Sequence, residues 1–322
     1  METVQSFQPA PDGWTIYNSS MTTSAAVIKV TLILSISAAN ILNLVTFKRF
    51  KDHKPQYRYM LALSIADLMI VIPNCACTAI QLVGFVSLTG PLCFILGIAT
   101  ILPYQITVGL HTAMTIDKVV SILSPTHYNR MFKQTARTSG AVLLTTFIVV
   151  LCFILPFLFD VTFALTRTLE FYFDETIGTC YIIWDPISMI CLSPFTIIPL
   201  VVQAVTQSLI IHKLYSLRAG NRKRVAVACA TVTATVAIFY TTWVPHAAYA
   251  IQTTFYGHHS RKLLYWSTLF LTSHSCVSSL IYIVTIKEYK EIVSRMFVNS
   301  KNKVGTLGTR IELNGLDGRS IM

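Results

Sequence analysis

Asp67 stands alone as a carboxylate deep inside a long apolar stretch, in the run Leu63-Ser64-Ile65-Ala66-Asp67-Leu68. A carboxylate in such surroundings is costly, so it needs a proton, a cation or a polar partner. With hydroxyl oxygens around it, it would suit a hard monovalent cation such as sodium. Without one, it would sit protonated in a polar network or pair with His274. Asp117 and Lys118 adjoin at the end of another apolar stretch. Either their charges form a pair that opens and closes, or they mark where the stretch meets water. Phe239 and Trp243 lie four residues apart, on one face of a helix, just before Pro245. That face is either an aromatic core stripe or a sensor beside a hinge. Hydrolysis finds no support. Asp67 has no second intramembrane Asp, and no Ser–His pair stands at convincing spacing. The chain is expected not to be an enzyme.

The elements that must position these residues are seven charge-poor stretches. They are Ala25–Phe47, Tyr59–Val83, Pro91–Ile116, Thr138–Phe159, Pro186–Ile211, Val225–Gly257 and Leu263–Ile286, the first to seventh spans. Lys29 and Asp67 are the charges within them. Each reaches the roughly 20 residues that cross a bilayer core of about 30 Å. Each is too long for a barrel strand of about 9–11 residues. Lipid offers backbone amides no partner, so the spans must be helices. Composition agrees: 53% of residues are hydrophobic and 12% charged, about half the charged fraction of a soluble domain. The expected fold is all-α, one bundle of seven transmembrane helices over residues 25–286, with the lipid bilayer as its main partner.

Twenty-one of the 25 basic residues fall in the loops after the first, third and fifth spans and in the tail. Only Lys29, Arg167, Arg261 and Lys262 lie toward the other side. The positive-inside bias makes the basic side cytoplasmic and the N-terminus external. The net charge of +11 thus follows from topology, and nucleic acid is not an expected partner. No cleavable signal peptide is expected, because the first apolar run is long enough to span. Asn18-Ser19-Ser20, in the outer arm of residues 1–24, is a glycosylation acceptor motif. Of eight cysteines, Cys93 and Cys180 face the oxidising side, which makes a disulfide between them available. It would tie the loop of residues 160–185 to the third span.

Pro73, Pro103, Pro156, Pro194, Pro199 and Pro245 fall within spans. They serve bundle packing or, at Pro199 and Pro245, hinges. Residues 287–297 place Tyr289, Ile292, Val293, Met296 and Phe297 at helical spacing among charges. That pattern predicts a short amphipathic helix on the inner leaflet. Residues 298–322 read as a flexible tail, ending in Ser320-Ile321-Met322, a weak match to a PDZ ligand.

Several motifs, in order, resemble the rhodopsin-like (class A) family of G-protein-coupled receptors across 25–297, as a divergent, orphan-like member. Asn40 and Val45 resemble its first-span motif, with Ala39 in place of Gly. Leu63 to Leu68 match its second-span Leu-x-x-x-Asp-Leu. Cys93 and Asp117-Lys118-Val119 keep the third-span spacing, followed by Ile122, Pro125 and Tyr128. Pro199, Phe239 and Trp243-Val244-Pro245 match the fifth and sixth spans. Ser278-Ser279-Leu280-Ile281-Tyr282 aligns with Asn-Pro-x-x-Tyr, and Tyr289-Lys290 with the Phe-Arg of the eighth helix.

The resemblance implies a cell-surface receptor that carries an extracellular ligand signal to a heterotrimeric G protein. It implies an activation switch of Asp117, Lys118, Phe239, Trp243, Pro245, Ser278, Ser279 and Tyr282. It places Thr107, Ser275 and Ser278 around Asp67 as a sodium site, with no other cofactor or metal. It points to a ligand pocket of Thr100, Ile101, Tyr104 and Gln105, then Cys191 and Phe195, then Trp243, His246 and Tyr249, then Leu264 and Thr268. Thr100 stands where aminergic receptors carry Asp, and the seventh span has no lysine for a retinal Schiff base. Lys118 replaces an arginine and lacks its planar fork. Ser278 and Ser279 replace Asn and Pro, and Gln207 replaces a Tyr. These departures keep open an alternative: a seven-helix protein of this family that does not couple, acting as decoy, scavenger or partner subunit. A channel or transporter is disfavoured, since paired intramembrane charges and broken half-helices are lacking.

Overall fold

The computed structural model describes residues 19–50, 55–83, 91–126, 128, 158, 162, 169–174, 179–184, 186–217, 219–256 and 261–296. Six of the seven spans form helices there: Ser19–Phe47, Pro55–Val83, Pro91–Leu123, Pro186–Ser216, Ala219–Tyr256 and Arg261–Thr285. The fourth span, Leu158 apart, lies outside the described residues, as do Asn18, Pro156 and the tail. The helices of the first, second, third, fifth and seventh spans are long and apolar enough to cross a membrane. The sixth helix contains the charge-free run that begins at Val225.

Helix ends outrun the charge-free stretches. The third helix continues past Asp117 to Leu123, and the sixth begins at Ala219, ahead of Arg222 and Lys223. A charge-free run measures the lipid-immersed part, whereas a helix persists while its own backbone bonds hold. Three helices start on proline, Pro55, Pro91 and Pro186, where the ring fits the first helical turn and the missing N–H costs nothing. Pro73, Pro103, Pro194, Pro199 and Pro245 lie inside helices.

Around the bundle, the first helix touches the second, the second the third, the third the fifth, the fifth the sixth, the sixth the seventh, and the seventh the first. The third also touches the sixth, closing the centre. A short helix over 287–296 follows the seventh span after one non-helical residue, Ile286. Its amphipathic face turns inward: Tyr289 is fully buried, and Ile292 and Val293 pack on the cluster of Phe47, Tyr59, Met60, Tyr282 and Ile286. Its outer face carries the exposed pairs Lys287–Glu291 and Arg295–Glu291, each at 3.9 Å. Such pairs add little stability.

One element was not drawn from the sequence. Within the loop of 160–185, β1 (Leu169–Asp174) pairs antiparallel with β2 (Thr179–Trp184), Leu169 opposite Trp184 and Phe173 opposite Cys180. Aromatic and β-branched residues dominate both strands, as strand preference requires. Cys180 is bonded to Cys93, with Cα atoms 5.4 Å apart, so the expected disulfide is formed. It fastens the hairpin to the third helix, and β2 also touches the second and sixth.

Candidate functional site

A buried polar chain runs along the inside of the first, second and seventh helices. Ser275 Oγ donates to Asp67 Oδ1 at 2.8 Å. Asn40 Nδ2 donates to the Ser275 carbonyl at 3.3 Å, and Asn43 Nδ2 to Asn40 Oδ1 at 3.2 Å. Asn43 Nδ2 also lies 3.0 Å from Ser64 Oγ and 2.8 Å from Ser279 Oγ. Tyr289 Oη closes the chain on Asn43 Oδ1 at 2.7 Å. All of these side chains are buried. Buried polar groups are tolerable only when satisfied in this way, and the chain binds three spans and the short helix into one unit.

Two residues expected beside Asp67 are buried with it. Thr107 Oγ1 donates to the Pro103 carbonyl and Ser278 Oγ to the His274 carbonyl, each at 3.0 Å. A hydroxyl whose proton is committed to backbone keeps its lone pairs for a cation. Of the expected hydroxyls, Ser275 is the one that bonds the Asp67 carboxylate. His274 does not pair with Asp67. Its Nε2 lies 3.5 Å from Ser278 Oγ, and its ring meets His111 edge-on at 5.1 Å.

His111 is the residue the sequence reading passed over. It is fully buried on the third helix and stacks on Phe239, centroids 4.9 Å apart. Its Nδ1 lies 2.8 Å from the Thr107 carbonyl, so the ring proton sits on Nδ1. Nε2 is left without a hydrogen-bond partner. Phe239 contacts Trp243 at 5.4 Å, and Trp243 meets Tyr104 edge-on at 6.5 Å. A continuous layer of rings thus joins the third, sixth and seventh helices. On the fifth helix, Gln203 Nε2 donates to Thr112 Oγ1 at 2.8 Å, and the Tyr240 hydroxyl donates to the Leu200 carbonyl, next to Pro199.

The other switch residues divide between two ends. Ser279 joins the Asn43 chain. Tyr282 is buried against Phe47, with centroids at 5.5 Å. Asp117 Oδ1 accepts the Tyr128 hydroxyl at 3.1 Å, while Lys118 Nζ donates to Gln56 Oε1 at 3.4 Å. Burial, and then the Asp117 carboxylate, hold the Tyr128 phenol above its ordinary range.

Among expected pocket residues, Thr100 Oγ1 donates to the Leu96 carbonyl at 2.8 Å. Ile101 is half-buried. Tyr104 Oη lies 3.2 Å from Thr272 Oγ1. Gln105 Oε1 and His246 Nδ1 are buried polar atoms without a hydrogen-bond partner. Tyr249 and Leu264 pack together, fully buried. The side chains of Cys191 and Phe195 lie outside the described residues. Thr268 lines a cleft elsewhere, between the first, second and seventh helices, together with Lys29 and Asn74. Asn43, Ser64 and His111 carry a common signal in the sequence. They are polar residues inside apolar spans, and Asn43 stands one turn after Asn40.

The described residues form a bundle of long apolar helices, tied to a hairpin by a disulfide and threaded by a buried polar network around one carboxylate, the build of a multi-pass membrane protein. Residues 39–282 match the family described as 7 transmembrane receptor (rhodopsin family). The chain belongs to that family, which consists of receptors and not of enzymes. Among curated proteins, none matches the chain.

Proposed function

We propose that the protein is a cell-surface receptor that converts binding of an extracellular ligand into activation of a cytoplasmic G protein. The observation that carries this reading is the ring layer Tyr104–Trp243–Phe239–His111–His274. It starts among the expected pocket residues, beside the partnerless atoms of Gln105 and His246. It ends at His274, next in sequence to Ser275, which bonds Asp67, and the polar chain from there reaches Tyr289. A ligand that favours one ring packing over another would shift the sixth helix relative to the third. Asp67, with Thr107, Ser275 and Ser278, holds a sodium ion in the resting arrangement.

The test is G-protein dissociation in cells, across subtypes, for wild type, Lys118→Arg and Lys118→Ala at matched surface levels. Activity in wild type that is lost in Lys118→Ala supports coupling through Lys118. Silence in all three, with a ligand shown to bind, overturns it and leaves a non-coupling receptor. For the ion, sodium but not potassium should raise the melting temperature of the purified protein. Asp67→Asn should abolish that difference.

A further inference from the structure

His111 and His274, on the third and seventh helices, are both buried. Their rings meet edge-on, with centroids 5.1 Å apart and planes at 60°. The His111 ring proton is held by the Thr107 carbonyl through Nδ1. Its Nε2, on the other side of the ring, keeps a lone pair and has no hydrogen-bond partner. A backbone carbonyl on one ring nitrogen is the arrangement that orients a metal-ligating histidine and raises the basicity of the other nitrogen. Beside the pair, Ser278 Oγ lies 3.5 Å from His274 Nε2, with its own proton committed to the His274 carbonyl. We propose that His111 Nε2, His274 Nε2 and Ser278 Oγ form a site for a divalent transition ion of the zinc class.

The separations fit such an ion. Zinc binds imidazole nitrogen at about 2.0–2.1 Å, and the ring centre lies about 1.2 Å further out. Two imidazoles on one tetrahedral ion therefore place their centres roughly 5 Å apart, as His111 and His274 do. Two ligand atoms at that angle stand about 3.4 Å apart, close to the 3.5 Å between His274 Nε2 and Ser278 Oγ. Imidazole suits zinc or copper, whereas magnesium and calcium take oxygen. No group of three histidine, cysteine or carboxylate side chains stands together among the described residues. The ion therefore keeps a position open to water and binds reversibly, unlike a structural zinc closed by four protein ligands. Asp67 bonds Ser275, the residue after His274, and brings negative charge to this part of the bundle against a buried dication.

On binding, the ion takes the lone pair of His274 Nε2 and releases any proton held there. It ties the third helix to the seventh beside Phe239, whose ring stacks on His111 and meets His274 edge-on at 5.7 Å. The ion thus fixes the packing on which the ring layer rests. Binding depends on these side chains alone and stands independently of G-protein coupling.

The experiment uses the full chain in detergent, purified without a histidine tag and stripped of metal by chelator. Zinc should raise its melting temperature by about 5 °C at saturation, and magnesium at the same concentration should leave it unchanged. Cobalt, as a spectroscopic stand-in for zinc, should give the visible absorption of a tetrahedral site at one ion per chain. His111→Leu and His274→Asn should each weaken zinc binding at least about tenfold and erase the cobalt band, because each removes one of two imidazoles. His258→Gln with His259→Gln, which removes the adjacent histidines of the sequence, should change neither readout. The proposal is overturned by the lack of a zinc shift, by an equal shift with magnesium, or by a shift that survives in both His111→Leu and His274→Asn. If one of these two variants does not give monodisperse protein, the other and the wild-type cobalt spectrum decide.

Discussion

Tyr289 and Asn43, separated by 246 positions in sequence, are joined by a 2.7 Å hydrogen bond from phenol to amide oxygen. Tyr289 belongs to the short helix after the seventh span and Asn43 to the first. Asn43 turns its amide nitrogen to Ser64 and Ser279. In this chain Ser278-Ser279 stand where the family has Asn-Pro. The Asn43 hub ties the seventh helix at that point through the Ser279 hydroxyl.

Tyr289→Phe should therefore destabilise the protein by about 1–3 kcal/mol, because a buried amide oxygen loses the phenol donor. Thermal melting of purified protein measures this. Asn43→Leu should cost at least as much, since it removes the partner of both the Tyr289 and the Ser279 hydroxyls. The double variant should cost less than the sum of the two, the signature of a direct bond. Strict additivity would mean that the link carries no energy.

His111→Leu should stabilise the resting arrangement. The substitution removes a buried ring nitrogen without a partner and keeps an apolar contact to Phe239. Replacing an unsatisfied polar group by an apolar one of similar shape is worth about 1 kcal/mol or more. His111→Ala should instead lower stability by about 2–4 kcal/mol through the cavity it leaves. Melting temperatures of the two variants should move in opposite directions, and basal G-protein dissociation should fall in His111→Leu.

The spans were legible because lipid enforces one simple rule, an absence of charge over some twenty residues. Five of the predicted spans emerge as membrane-crossing helices, and a sixth as the helix containing Val225 onward. The pairing of Cys93 with Cys180 was legible from topology. The hairpin was not, since its two six-residue strands sit in a loop whose charges suggested solvent. Asp67 announced itself as a lone charge, but its partner did not. Whether Ser275 or His274 meets it depends on the rotation of the seventh helix. Asn43, Ser64 and His111 look like tolerable polar residues in an apolar run until the helices bring them together. Lys29 read as a charge near the membrane surface, and only the packing of three helices puts it on a cleft.

Loss of the disulfide should loosen the hairpin from the third helix. Cys93 and Cys180 enclose a long loop, 87 positions apart, and such a cross-link is worth about 2–4 kcal/mol. Cys93→Ser, Cys180→Ser and the double variant should lose the same amount, because each breaks one bond. Surface expression and melting temperature report it. A single variant much worse than the double would point instead to mispairing of the remaining thiol.

Tyr128→Phe tests the opposite end of the third helix. Its hydroxyl is the donor to Asp117 Oδ1, and the raised phenol pKa keeps the proton in place at physiological pH. The sign follows: the folded state favours the neutral phenol, so stability falls only as the pH climbs past the ordinary tyrosine value of about 10. Removing the hydroxyl frees a carboxylate beside Lys118. The two charges can then pair with each other, which competes with the bond from Lys118 to Gln56. That shift releases the second helix from the third, so basal G-protein dissociation should rise in Tyr128→Phe. Gln56→Leu, which removes the same tether from the other side, should raise it to a similar level. Combining the two should add little. Unchanged basal activity in both single variants, at equal surface expression, would show that the Asp117–Tyr128 and Lys118–Gln56 contacts do not hold the resting arrangement.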